Sequence, residues 1–169
     1  MGVGTLVSEE EYLHTSYQPD CGFQDGVLIE RNVGTESHSW LQISLGSYFH
    51  VRRKLWNITA YTEQRIRVRA GKYMLPDICV LQGLRSSESV LKAPPLLVVE
   101  ILSPEDRPIR VNDTVREWLD FGVPIVWVID PETLESELYD KGGRTKIEDG
   151  VLRIPNSPIE VPLRLLDED

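Results

Sequence analysis

The chain has 169 residues, 41% of them hydrophobic, and a formal net charge of -9. That length suits one domain with an ordinary core, and the acidic balance argues against a general nucleic-acid coat. No apolar segment is long enough for a membrane span, and Cys21 and Cys79 with three scattered histidines form neither a disulfide framework nor a zinc spacing. Residues 1–6 lack a basic-then-apolar leader, and Leu6 stands where a myristoylation motif needs Ser or Thr. A cytoplasmic protein is expected.

Charge is unevenly spread. Residues 1–50 carry a net -6, residues 51–72 a net +6, and residues 73–169 a net -9. Any contact with a polyanion should therefore be local and salt-sensitive.

In chain order, Ser8-Glu9-Glu10-Glu11 has the form of a capping box and predicts a short helix to about Thr15. Gly26–Glu30 follows an Asp-Gly turn signal and predicts a short strand. From Glu36 to Trp56 the period becomes helical, with Leu41, Leu45, Tyr48, Phe49, Leu55 and Trp56 near one stripe. His38 joins that inward face at its first turn, as a capping or core residue or as a catalytic one.

Glu63, Arg65, Arg67 and Arg69 alternate with apolar or neutral residues in the period of a strand. The three arginines either meet phosphates or lie on a solvated or acid-paired sheet face. After Gly71, Leu75–Leu81 predicts a buried strand with Asp77 at its start, and Gly83–Ala93 a polar connection.

Pro94-Pro95-Leu96-Leu97-Val98-Val99-Glu100-Ile101-Leu102-Ser103-Pro104 is an apolar run bounded by turn signals, hence a strand buried on both faces. Glu100 interrupts it. A buried carboxylate costs several kcal/mol unless a cation, metal or hydrogen-bond donor meets it. A helix from about Val111 to Phe121 follows, with Val115, Trp118 and Leu119 inward and Gly122 as C-cap. Pro124–Pro131 is a fourth, central strand, so strand, helix and strand imply a parallel crossover. Asp130 reads as a strand-end turn former, and 137–154 as short peripheral strands.

If the Asp77 and Glu100 strands are antiparallel neighbours, both acids arrive at one end of the sheet. They would repel each other unless a cation sat between them, and an oxygen-rich site of that kind suits Mg2+ or Mn2+. Such an ion supports phosphodiester hydrolysis.

The ordered set Asp25–Arg31, His38, Leu75-Pro76-Asp77, Val99–Pro104, Gly122-Val123-Pro124 and Trp127–Pro131 resembles the PD-(D/E)XK nuclease superfamily, and more narrowly the Uma-two family of restriction-endonuclease-like proteins. The resemblance implies one domain over 1–169: an α/β restriction-endonuclease-like fold, with a central mixed sheet flanked by helices. It also implies a metal-dependent DNA endonuclease, often a homodimer. Asp77 and Glu100 match the family's metal ligands, and His38 matches a histidine at the start of its N-terminal helix.

The superfamily's lysine would fall on Leu102, or on Thr114 where the family moves it to the next helix. No lysine occurs between Lys92 and Lys141. Arg110, Lys72, Arg107 or Arg116 would then have to supply the positive charge, and arginine is a poor proton-transfer substitute for lysine. The competing expectation is a nuclease-fold binding or assembly module with Glu100 satisfied by a buried arginine. No Gly-x-Ser-x-Gly elbow, P-loop or His-Glu-x-x-His motif points to another hydrolase.

Overall fold

In the computed structural model, residues 6–32 and 34–166 are described; residues 1–5, where the leader pattern was sought, lie outside them. The elements in chain order are α1 (Glu9–His14), β1 (Gly22–Gln24), β2 (Val27–Ile29), α2 (Glu36–Trp56), β3 (Ile58–Thr62), β4 (Ile66–Arg69), β5 (Lys72–Met74) and β6 (Ile78–Gln82). There follow β7 (Leu97–Ile101), α3 (Pro108–Phe121), β8 (Ile125–Ile129), β9 (Ser136–Asp140), β10 (Gly143–Lys146), β11 (Val151–Arg153), β12 (Glu160–Pro162) and a 3-10 turn, Leu163–Leu166.

A six-stranded sheet, ordered β10-β9-β8-β7-β6-β3, carries the core. Its alternation sorts side chains onto two faces. Leu97, Val99, Ile101 and Trp127 pack with Leu41, Leu45 and Phe49 of α2, while Val98, Val126 and Val128 pack with Val115 and Trp118 of α3. Each such fully buried side chain contributes roughly 1.5–3 kcal/mol of transfer free energy. A second sheet, ordered β2-β1-β5-β4, is sealed by Tyr12 of α1, whose ring stacks on Phe23 at 5.0 Å and meets Tyr73 at 5.3 Å.

The expected helices form, and all but the start of α3 lie at the expected ends. The Ser8 hydroxyl accepts from the Glu11 amide, Thr35 caps α2 by accepting from the His38 amide, and Gly122 closes α3 at φ +110°. Pro108 at the first turn starts α3 three residues before Val111, because proline's missing donor costs nothing there. The β7-α3-β8 unit is parallel, with Glu100 opposite Val128.

Three expectations are corrected. Glu63 adopts φ +51°, so no strand runs through 63–65; pairing resumes at Ile66, and β3, β5 and β1 are added. Leu55 is exposed, since ten residues past Leu45 it points about 80° away round the helix. Finally, β9 is no peripheral strand: it pairs antiparallel with β8 and buries Ser136, Leu138 and Tyr139. Asp130 does form a turn, its carboxylate accepting from the Glu132 amide at 2.9 Å.

Candidate active site

Strands β6 and β7 are antiparallel, with Ile78 opposite Val99 and Cys79 opposite Val98. Asp77 directly precedes β6, and its Oδ2 reaches the Ile101 amide, next to Glu100 near the end of β7. The two acids, far apart in the chain, thus meet at one end of the sheet.

Asp77 is 4% exposed and closely held. Its Oδ2 accepts from the Ile101 amide at 2.7 Å, and Arg31 Nη2 donates to Oδ1 at 2.5 Å. The Nε2 of His38 lies 3.4 Å from the same Oδ1. Gln42, one turn along α2 from His38, donates to the Asp77 carbonyl at 3.0 Å. The N-terminal turns of α2 therefore brace the residue from one side and β7 from the other.

Glu100 is satisfied differently. The Trp118 indole N–H donates to its Oε1 at 2.6 Å. The arginine that the binding-module expectation placed on Glu100 lies on Asp77 instead. Burial, and then the charge of Asp77, push the Glu100 carboxyl up to about 8, against the Trp118 hydrogen bond and the more distant Arg31. His38 is raised above the ordinary histidine range, chiefly by its hydrogen bond to Asp77, with burial opposing.

These groups line a cleft of about 630 Å³ bounded by the β1–β2 hairpin, the start of α2, β5, the β6–β7 end and α3. Arg110, Thr114, Lys72 and Glu30 line it as well. All four site residues expected from the sequence, Asp77, Glu100, His38 and Arg110, thus face one cavity. Arg107 and Arg116 are not part of its lining.

Two residues carry the site without having been singled out. Arg31 bridges Asp77 and, through Nη1, Glu63 at 3.3 Å; Trp118 read only as a core residue. Nothing local marks either role. Arg31's position directly after Glu30 in the resembling segment is the sole sequence signal.

The donor set can accept a divalent cation. Glu100 and Asp77 line one cleft and the charge of Asp77 raises Glu100, so a cation between them would relieve that penalty. Among the described residues no three His, Cys, Asp or Glu side chains converge as a ligand group. Two carboxylates with water completing the shell is the arrangement magnesium favours over an all-protein cage.

The arginines of β4 and its approach do not face this cleft. Arg65 donates to both Asp20 oxygens, Arg67 lies 3.7 Å from Glu9 and Arg69 pairs with Asp25 at 2.8 Å. The acid-paired alternative is the one realised.

No curated protein matches the chain. Among solved structures the fold is similar to that of "Crystal structure of a putative nuclease belonging to DUF820 from Anabaena variabilis ATCC 29413", with a TM-score of 0.79 at 21% identity, covering 95% of this chain and 97% of that one. The model of the Uma2 family, described as "Putative restriction endonuclease", matches residues 10–163. With its central mixed sheet, its flanking helices and a match over most of its length, the chain belongs to the Uma2 family.

Proposed function

We propose that the protein is a divalent-metal-dependent DNA endonuclease that hydrolyses phosphodiester bonds, with Asp77 and Glu100 as the metal ligands. The observation that carries this reading is two carboxylates lining one cleft at the β6–β7 end, one of them pushed up to about 8 by burial and by the other's charge. A strongly perturbed acid that shares a cavity with a second carboxylate is a functional candidate.

When bound, Mg2+ or Mn2+ supplies Lewis-acid charge stabilisation at a phosphoryl oxygen. The chain supplies the rest. The Ile101 amide fixes the Asp77 carboxylate, whose charge Arg31 balances in the metal-free protein, and the Trp118 indole fixes one oxygen of Glu100. His38, beside Asp77 with a raised pKa, is placed to hold or pass a proton near neutral pH. Arg110 at the cleft wall provides positive charge for the nucleic acid backbone.

A second reading, a binding or assembly module with impaired catalysis, is favoured by the Arg31–Asp77 ion pair and by Leu102 and Thr114 standing at the lysine positions. Two buried, free cysteines suit the reducing cytoplasm. The homodimer implied by the family would have the exposed apolar residues Trp40, Ile43 and Val51 of α2 available to it, and sedimentation velocity measures that state.

Cleavage of supercoiled plasmid and of single-stranded DNA in Mg2+ and in Mn2+ tests the enzyme reading. Wild-type protein is expected to nick or linearise DNA, with loss in Asp77→Ala and Glu100→Ala variants that remain folded. An inactive wild type across metals and substrates supports the module instead.

A further inference from the structure

Three cationic side chains line the cleft: Arg31, Lys72 and Arg110. Arg31 is committed to Asp77 and Glu63. Arg110 is exposed and also lines a neighbouring hollow with Leu28, Asn32 and Glu105. Lys72 differs from both. Its side chain is 12% exposed, and its Nζ lies 2.5 Å from Oε2 of Glu117.

Strand geometry explains how it gets there. Gly71, at φ +72°, turns the chain from β4 into β5, where Lys72 and Met74 flank Tyr73. The Tyr73 ring packs with Tyr12 and Phe23, while Met74 packs on the α3 side of the main core. Alternation along β5 therefore sends Lys72 to the same side as Met74, toward α3.

The partner on α3 matters more than the pairing itself. Glu117 directly precedes Trp118, which holds Glu100. It also lies three residues after Thr114, on the same helix face, and both residues line the cleft. Glu117, which holds the ammonium, stands one helical turn from Thr114 along the cleft wall. The ammonium thus enters the cleft from a strand of the second sheet, beside the helix that carries Trp118.

Resting on the nuclease reading above, we propose that Lys72 is the cation that meets a non-bridging oxygen of the scissile phosphate, and that Glu117 is its positioning residue. Lys72 makes and breaks no bond in this role. It neutralises charge that grows on the phosphoryl oxygens as water adds and the leaving oxygen departs. A compact ammonium with three donors suits that task, and the pairing with Glu117 aims it before substrate arrives.

The test compares wild type, Lys72→Met, Lys72→Arg and Glu117→Gln in three measurements. These are plasmid cleavage in Mn2+, calorimetric titration with Mn2+ alone, and anisotropy of a fluorescent duplex in Ca2+. Lys72→Met is expected to lose at least about 100-fold in kcat, with Mn2+ affinity unchanged. Lys72→Arg should recover duplex binding and part of kcat, and Glu117→Gln should lower kcat more than it changes KM.

Lys72→Met cleaving within threefold of wild type overturns the proposal and leaves the nuclease reading standing. Equal loss of Mn2+ binding and cleavage in Lys72→Met also overturns it, because the residue would then be acting through the metal site. Wild type that neither binds Mn2+ nor cleaves removes both. If Lys72→Met does not melt like wild type, Lys72→Gln and the double variant Lys72→Met/Glu117→Leu, which removes the charges together, make the same comparison.

Discussion

Two clusters of enclosed charge in this protein are resolved in opposite ways. At Arg65 every contact is matched: the guanidinium donates to Asp20 at 3.1 and 2.6 Å and to the carbonyls of Tyr12 and Thr15 at 3.0 and 3.1 Å, and it stacks 4.4 Å from the Tyr12 ring. One positive and one negative group cancel, and the arginine ties α1 and the following loop to the start of β4. At the cleft, Asp77 has a guanidinium, but Glu100 has only an indole and a like charge facing it. The matched cluster holds structure together; the unmatched one stores an electrostatic imbalance that a cation would discharge. An acid left in that condition is a candidate for chemistry.

The comparison breaks most sharply under substitution of the acids. Asp77→Asn and Glu100→Gln are expected to lower metal-dependent cleavage by about a thousandfold or more, the scale of removing a main electrostatic element of a site. Both should retain wild-type circular dichroism. Arg65→Ala should do the reverse: kcat largely intact, with stability lowered by about 3 kcal/mol in urea titration, because Asp20 and two carbonyls lose their partner.

Next in size is pH. Glu100 has a folded value near 8 against an ordinary 4.5, so the fold favours its protonated form. As pH rises past 4.5 the unfolded chain ionises freely while the folded chain resists, and the penalty grows until about pH 8. His38 acts in the same direction: its raised value adds stability present below its ordinary range and lost as pH climbs through the raised one. The metal-free protein should therefore melt at progressively lower temperature from pH 5 to pH 8. Glu100→Gln should flatten most of that slope and His38→Gln a smaller part. Added Mn2+ should restore the high-pH melting temperature, since a ligand that binds only the folded state stabilises it.

Arg31→Gln sharpens the contrast further. Arg31 now neutralises Asp77, so its removal is expected to raise Mn2+ affinity severalfold by calorimetry while leaving the fold in place. Weaker Mn2+ binding in that variant would mean that Arg31 positions the carboxylate rather than competing for it. The smallest effect belongs to Arg69→Ala. That pair with Asp25 is half exposed on both sides, and its loss should leave the melting temperature indistinguishable from wild type.

Much of the architecture was legible because it is written in local periods. The stripe Leu41, Leu45 and Phe49, the Ser8 and Gly122 caps, and the unbroken apolar runs of β7 and β8 each report their own environment within a few residues. Elements of three residues, such as β1 and β5, carry too few positions to show a period. The break at Glu63 came from a backbone conformation that only the surrounding structure enforces.

By itself the sequence determined that an acid interrupts a buried strand, that another opens the preceding one, and that a crossover helix follows. Those facts bring Asp77 and Glu100 to one sheet end once β6 and β7 pair antiparallel, a pairing that tertiary structure supplied. Tertiary structure alone decided what stands around them. Arg31 reaches Asp77 across 46 residues, Trp118 reaches Glu100 across 18, and Lys72 reaches Glu117 from another sheet. Long side chains meet wherever packing places their ends, and no spacing along the chain encodes that meeting.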